Sequence, residues 1–375
     1  MDLDLTEEQE MLRNLVRQVC NDHAPLTVVR ELEDDPVGYP AELWKQLADL
    51  DLIGLLLPTE YGGSGMGMIE GAVMYSEMGR SLAPLPHLVS AVLAGGMIAR
   101  AGSDEQRRTY LPAISSGELI ASIAWLEPEN GFGPSGIQLQ GVVEDDGYVL
   151  TGTKRHVAFA SSAQTLVVPV RTGDGVEDVD LLLVDPRTPG VSLEQRFGVA
   201  SDTQYDVAFD GTRVPVGNRV GEQGSGWSTL DSVMREAIVL VAAQAMGGAQ
   251  QLLEITNQYA KDRVQFDKPL GAFQAIAHYL ADAKTVIDGA TVLVWEAAWA
   301  RAASKPEADK LAAMAKLFAC QAYRDTSATS LQIHGGIGFT IECDAQLFFR
   351  RAKQLQLSWW DGRYLEELIA SAVLD

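Results

Sequence analysis

Arg263-Val-Gln-Phe-Asp-Lys-Pro-Leu-Gly-Ala-Phe-Gln274 and Gln332-Ile-His-Gly-Gly-Ile-Gly-Phe339 hold the residue types with the most chemistry in this chain. Arg263 supplies a planar, forked cation suited to a pyrophosphate. Gly335, Gly336 and Gly338 follow a helical stretch, and without Cβ atoms they let backbone N–H groups approach a bulky anionic ligand closely. The same residues also read as a glycine helix stop and a surface arginine. Other chemistries lack their residues. Gly62-Gly-Ser-Gly65 has no Gly-Lys-Ser/Thr ending and so does not form a phosphate-binding P-loop. Five scattered histidines make no HExxH or related metal motif. Cys20, Cys320 and Cys343 are few, odd in number and without metal spacing. They read as buried or incidental thiols in a reducing compartment.

These residues need a scaffold larger than one core, and 375 residues predict two or three domains. The apolar share of 47% and charged share of 21% are those of an ordinary globular chain. A net charge of −22 argues against nucleic-acid binding, because phosphates would be repelled. Met-Asp-Leu-Asp-Leu at the start is unlike a cationic signal peptide, and no charge-free stretch of 18 residues reads as a membrane span. The expected location is cytoplasmic.

Helical patterning fills the first 120 residues or so. Thr6-Glu-Glu-Gln9 is a capping box, after which Leu12, Leu15, Val16 and Val19 line one face until Asp22–Pro25 ends the helix. Pro40 opens a second helix over 41–50. Two more are expected over 73–82 and 88–101, separated by Ala83-Pro-Leu-Pro86. Between about 121 and 226 the period turns to alternation. Gly141–Thr153 reads as strand, acidic turn and strand, and 166–171, 180–185 and 205–209 continue it. Short strands at this spacing mean a sandwich or barrel. Gly221–Gly226 closes that region, and long helices follow over 242–260, 274–302 and 310–333.

This order of parts, together with the two phrases above, resembles the acyl-CoA dehydrogenase family over essentially the whole chain. The resemblance implies a multidomain α+β fold: an N-terminal helical domain (1–120), a central β-barrel or sandwich domain (121–226) and a C-terminal four-helix-bundle domain (227–375). It implies FAD as cofactor, with its isoalloxazine between the β domain and the bundle and its adenosine diphosphate half clamped partly by a neighbouring subunit. Carried over by motif, Arg263, Gln265, Phe266 and Gln274 meet the pyrophosphate and adenine side, and Gln332, Gly335 and Gly336 close over the adenosine portion. Asp267 stands where the family has glycine. Pro58-Thr-Glu-Tyr-Gly-Gly-Ser-Gly65 resembles a family connection. Trp125-Leu-Glu-Pro128 resembles the family's T-E-P-G segment, which places Leu126 and Glu127 at the flavin pyrimidine edge; the following Glu129–Ser135 departs from the family pattern. Gly152-Thr-Lys-Arg-His-Val-Ala158 resembles the G-x-K-x-W-I-T strand, with His156 in place of tryptophan and Ala158 in place of the threonine at flavin N5. His156 also reads as an ordinary strand residue.

The family's reaction removes an α-proton from an acyl-CoA thioester as a β-hydride moves to flavin, so it needs a carboxylate base. Leu357-Ser-Trp-Trp-Asp-Gly-Arg363 matches the segment that carries it, and Asp361 is the natural substitute, one methylene short. Ungapped counting falls instead on Trp359. Glu236, on the first helix of the C-terminal domain, is the fallback, where the counted position is Ala237. A third possibility is that the chain has no functional base and that Asp361 is a turn residue beside glycine. The resemblance implies an electron-transfer flavoprotein as acceptor, and a homotetramer or, as in actinobacterial members with a similar Thr340-x-Glu342-x-Asp344 stretch, an α2β2 heterotetramer with a paralogue, some acting on steroid side-chain thioesters. Two alternatives follow: a supporting, non-catalytic subunit of such a pair, and a nitroalkane-oxidase-like enzyme, since those use an aspartate base.

Overall fold

A computed structural model describes residues 4–129, 131–144, 147–200 and 202–374. The acidic turn at Asp145–Asp146, Asn130 of the 129–135 segment and the first three residues lie outside the described residues. In chain order come helices α1 (Glu7–His23), α2 (Leu26–Glu31), α3 (Ala41–Asp49) and α4 (Met68–Arg80). A π-helical turn at Leu88–Ala94 then runs directly into α5 (Gly95–Ala101), and α6 (Asp104–Ser115) ends the helical part. Strands β1 (Ala121–Ile123), β2 (Gln140–Glu144), β3 (Gly147–Ala158), β4 (Thr165–Arg171), β5 (Val179–Val184), β6 (Val191–Arg196), β7 (Gln204–Pro215) and β8 (Arg219–Val220) follow. The rest is helical: α7 (Gly226–Asp262), a short hairpin β9 (Val264–Gln265) and β10 (Lys268–Pro269), then α8 (Gln274–Ala302), α9 (Ala308–His334), α10 (Ala345–Leu357) and α11 (Gly362–Leu374). N-terminal helices, a central sheet and C-terminal helices are thus the architecture.

The chain folds into two compact units. One comprises residues 1–29, 67–83 and 238–375. Within it the Thr6 hydroxyl accepts the Gln9 N–H, and Gln9 returns the bond to the Thr6 backbone, as the capping box requires. Leu12, Val16, Val19 and Cys20 form the buried stripe of α1, while Leu15, expected on that face, stays 37% exposed. Burial pushes the Cys20 thiol up to about 12, so it is an inert apolar side chain. Arg17 of α1 makes a two-pronged bond to the buried Glu77 of α4, at 2.7 and 2.8 Å. α9 packs against α8, α10 and α11, with Ala312, Ala313, Ala315 and Ala319 keeping the helices close.

The other unit comprises residues 30–66 and 84–237. Its strands form a single mixed sheet in the order β6-β7-β3-β2-β4-β5-β8, with β1 added in parallel to β4. β4 and β5 are buried along their whole length, which explains why they are rich in Val and Leu rather than alternating. Alternating Tyr148, Leu150, Tyr205, Val207 and Phe209 fill the core. The β3–β7 ladder slips twice, between Leu150 and Gly152 and between Lys154 and Val157, and the second slip re-aims the side chains of the 155–156 segment.

Among the described residues α7 has the length and apolarity of a membrane span, with mean hydropathy 1.3 in its best window. That window is 72% buried inside the protein, so the apolarity serves the core.

Candidate functional site

In the first unit, the two glycine- and arginine-bearing phrases meet. Tyr259 lies one turn before the end of α7, and its ring stacks on His334 with centroids 4.3 Å apart and planes 21° from parallel. The Tyr259 carbonyl accepts the Arg263 N–H at 2.8 Å, and the Tyr259 hydroxyl reaches the His334 carbonyl at 3.4 Å. His334 is held from behind, its Nδ1 bonded to the Ser330 carbonyl at 2.8 Å, which makes that nitrogen the donor. Arg263 therefore emerges from one side of the stack and Gly335 from the other. Gly335 has φ +67° and ψ −143°, a conformation essentially restricted to glycine. Gly336 has an ordinary φ, and a Cβ built there meets nothing within 4 Å among the described residues. Its own chain therefore does not require glycine at 336. An open backbone surface beside an exposed guanidinium fits a bulky pyrophosphate-bearing ligand such as a flavin dinucleotide.

Gln265, Phe266 and Asp267 form the tip of the β9–β10 hairpin. Phe266 and Asp267 both adopt left-handed φ, +51° and +64°, in the two central turn positions where Asn-Gly is the usual pair. Phe266 is 85% exposed and meets Phe273 edge-on at 6.2 Å, while the Lys268 ammonium lies 4.3 Å over the Phe273 ring. Gln274 begins α8 and is exposed, as is Gln332 in the last turn of α9. An open cleft of about 430 Å³, bordered by Asn257, Ala260, Lys261, Pro269, Ala272 and Leu280, lies behind this hairpin.

Asp361 stands at the start of α11. Its Oδ1 accepts the Tyr364 N–H at 3.0 Å, the bond of an N-cap, and its carbonyl accepts the Leu365 N–H. The preceding Trp359 and Trp360 both have left-handed φ, +54° and +70°. Beneath this turn the fully buried Lys316 of α9 donates to the carbonyls of Leu355, Ser358 and Trp360 at 2.9, 2.9 and 2.8 Å. Burial holds the Lys316 ammonium below its ordinary range.

In the second unit, Glu127 is a buried anchor. Its carboxylate accepts the N–H groups of Gln138 and Leu139 at 3.0 to 3.1 Å and pairs with the Lys154 ammonium at 2.6 Å. Burial pulls Lys154 down to about 8 against the opposing charge of Glu127. Leu126 and Arg155 are bridged backbone to backbone, the Arg155 N–H donating to the Leu126 carbonyl at 2.8 Å. The 125–127 segment is thus sewn to β3 just before the bulge. His156, in that bulge, has φ +55° and is exposed, with Nδ1 2.9 Å from the Gln204 Oε1. Gln204 donates its amide to Asp202 at 2.5 Å, so its oxygen faces the ring and His156 Nδ1 must carry the proton. Ala158 ends β3 with its carbonyl accepting the Ser122 hydroxyl at 2.6 Å. Glu236 is paired with Arg100, whose guanidinium also reaches Ser232. Leu126, Glu127, His156 and Ala158 are therefore brought to one stretch of β3, and Glu236 stands on α7.

Sequence reading missed Tyr259, Lys154, Gln204 and Lys316. Tyr259 at i−4 from Arg263 and a lysine inside the Gly152–Ala158 strand were visible signals. A lone lysine on the alanine-rich face of α9 was another, since a buried ammonium must find partners.

Comparison with known proteins agrees across the chain. The acyl-CoA dehydrogenase N-terminal, middle and C-terminal domain families match residues 6–118, 122–212 and 224–363. An acryloyl-CoA reductase (NADH) of Anaerotignum propionicum is 33% identical over 100% of this chain and 96% of its own. Butyryl-CoA dehydrogenase from Megasphaera elsdenii superposes with TM-score 0.93 at 26% identity, covering 100% of both chains. The ChsE4–ChsE5 complex from Mycobacterium tuberculosis gives TM-score 0.90 at 28% identity over 100% of this chain and 99% of the matched one.

Proposed function

Because the chain belongs to the acyl-CoA dehydrogenase family, we propose that it is an FAD-dependent oxidoreductase that introduces an α,β double bond into an acyl-CoA thioester. The observation that carries this reading is the Tyr259–His334 stack, which joins Arg263 to the open Gly335-Gly336 backbone in one corner. In that corner Arg263 grips the pyrophosphate and the 335–336 backbone admits the adenosine side, with Gln265, Phe266, Gln274 and Gln332 around them. Leu126, Glu127, His156 and Ala158 serve the ring end, Glu127 through the anchored 125–127 backbone. FAD, when bound, supplies the two-electron acceptor for the hydrogen that leaves the β-carbon as hydride. Asp361 takes the α-proton. Its Oδ1 is committed to the Tyr364 N–H, so Oδ2 is the accepting atom. Capping fixes the carboxylate in one direction, on a side chain one methylene shorter than the family's glutamate. Glu236 is the weaker candidate, since Arg100 already neutralises it. The functional divisions run over 1–120, 121–226 and 227–375, with a cytoplasmic location. An electron-transfer flavoprotein accepts the electrons, and the assembly is a tetramer.

A second reading is favoured by those same carboxylates, one capping a helix and the other ion-paired. In it the chain is the supporting subunit of an α2β2 enzyme and lends Arg263 and Gly335-Gly336 to a partner's flavin. The visible spectrum and flavin-to-chain ratio of the protein purified alone separate the two. About one FAD per chain, with turnover abolished by Asp361→Asn while flavin is retained, is the expected outcome. Asparagine caps a helix about as well as aspartate, so folding survives the change. Little flavin, restored only by co-expression with a paralogous chain, would establish the supporting subunit instead.

A further inference from the structure

Lys316 interrupts a helix face otherwise built from Ala312, Ala313, Ala315, Ala319 and Cys320, all buried. A charge in such a place is tolerated only when every proton has an acceptor. Lys316 meets that condition in an unusual way, because all three acceptors are carbonyls between residues 355 and 360. Leu355 belongs to the last turn of α10, and Ser358 and Trp360 belong to the four-residue connection before α11. That connection carries two consecutive non-glycine residues in left-handed conformation, Trp359 and Trp360, a pairing that persists only where surroundings over-determine it. The Trp360 ring is buried against Tyr364, with centroids 5.3 Å apart, and Tyr364 supplies the N–H that holds Asp361. Ring, cap and ammonium therefore constrain the same turn.

We propose that Lys316 is the positioning residue for Asp361: it pins the 355–360 backbone and so sets the direction in which the Asp361 carboxylate leaves α11. Two titratable groups face the Lys316 ammonium, Asp361 across the link and the Cys320 thiol one turn along α9. Burial raises the Cys320 thiol, so it stays neutral beside the ammonium. The kinetic part of the inference rests on Asp361 being the base; the structural part does not.

Lys316→Met and Lys316→Gln in the flavin-loaded protein test it. Methionine removes donors and charge together, whereas glutamine keeps two donors and removes only the charge. Hydrogen exchange is expected to accelerate at the amides of residues 358–365 in the methionine variant, less so in the glutamine one, with α9 still protected. With an acyl-CoA and a dye acceptor, kcat should fall roughly 10- to 100-fold, the scale of a misplacement near 1 Å, while flavin content and KM hold. Unchanged exchange at 358–365 overturns the proposal, as does a loss of turnover that merely tracks loss of flavin. If Asp361→Asn retains turnover, the base assignment fails by itself, and the exchange result still decides whether Lys316 positions the turn.

Discussion

At the scale of single residues, Gly335 and Gly336 look alike in the sequence and differ in the folded chain. Gly335 is required by its own backbone, which at φ +67° and ψ −143° admits no other residue cheaply. Gly336 has an ordinary backbone and empty space where its Cβ would be, among the described residues. Gly335→Ala should therefore lower stability by about 1–3 kcal/mol with or without flavin, from strain alone. Gly336→Ala should leave the melting of the flavin-free protein within about 0.5 kcal/mol of the parent and weaken flavin retention. Calorimetry on both forms of both variants checks this, and equal destabilisation by the two changes would remove the ligand-based reason for Gly336. The motif's residue types were legible because they lie together in sequence, as glycines after a helix and an exposed arginine. What local sequence did not reveal was the Tyr259–His334 stack, which depends on two helix ends 75 residues apart meeting in space. Local sequence read Asp361 as a turn aspartate beside glycine, and only the family resemblance offered it as a base. Its cap to Tyr364 is local, but the lysine under the turn comes from another helix.

At the scale of elements, periodicity located the long helices well and short or irregular ones poorly. The expectation over 274–302 coincides with α8, whereas α6 went unread although Ser103 and Gln106 form a capping box there. Pro112 inside α6 obscured the pattern, since proline ordinarily argues against a helix interior. β6 alternates partly and fully exposed residues, and that two-sided polarity hid it from a reading that looked for apolar runs. β3 shows how an element can position a site. Its bulge turns His156 outward, and just before the bulge the buried Lys154–Glu127 pair ties the 125–127 segment to the strand. Lys154→Met should destabilise the protein by about 3 kcal/mol near neutral pH, because it leaves the Glu127 carboxylate buried without its cation. The sign of the pH effect follows from burial. Lys154 sits at about 8 in the folded protein against an ordinary 10.5, so between those values the unfolded chain binds a proton that the folded one does not. Stability from this group therefore rises with pH through that window, and the gap between parent and variant should widen from pH 8 to 10.5. Urea unfolding at several pH values reads it, and a constant gap would show that Lys154 keeps its proton throughout.

At the scale of the whole molecule, net charge and local charge oppose each other. The chain carries −22 overall, yet the corner proposed to take a pyrophosphate presents Arg263, with Lys261 and Lys268 close by in sequence. The same corner exposes apolar side chains on both of its loops, Val264 and Phe266 on one and Phe339 and Ile341 on the other, as suits a surface covered in an oligomer. Composition alone argued against nucleic acid, but it was silent on which field an incoming anionic cofactor feels. Range decides this. At 0.01 M salt the screening length is about 30 Å, so an approaching dinucleotide feels the summed negative charge. At 0.15 M it is about 8 Å, and only groups near the contact still act. The association rate of FAD with flavin-free protein should therefore increase as salt is raised between these limits, the reverse of a site steered by a basic surface. If Arg263 grips the pyrophosphate as proposed, the dissociation rate should change little over the same range, and Arg263→Gln should raise it without abolishing the salt dependence of association. Stopped-flow flavin fluorescence measures both rates. An association rate that falls with salt would mean that the local cations dominate even at long range, and the acidic surface would then have no part in how this protein acquires its cofactor.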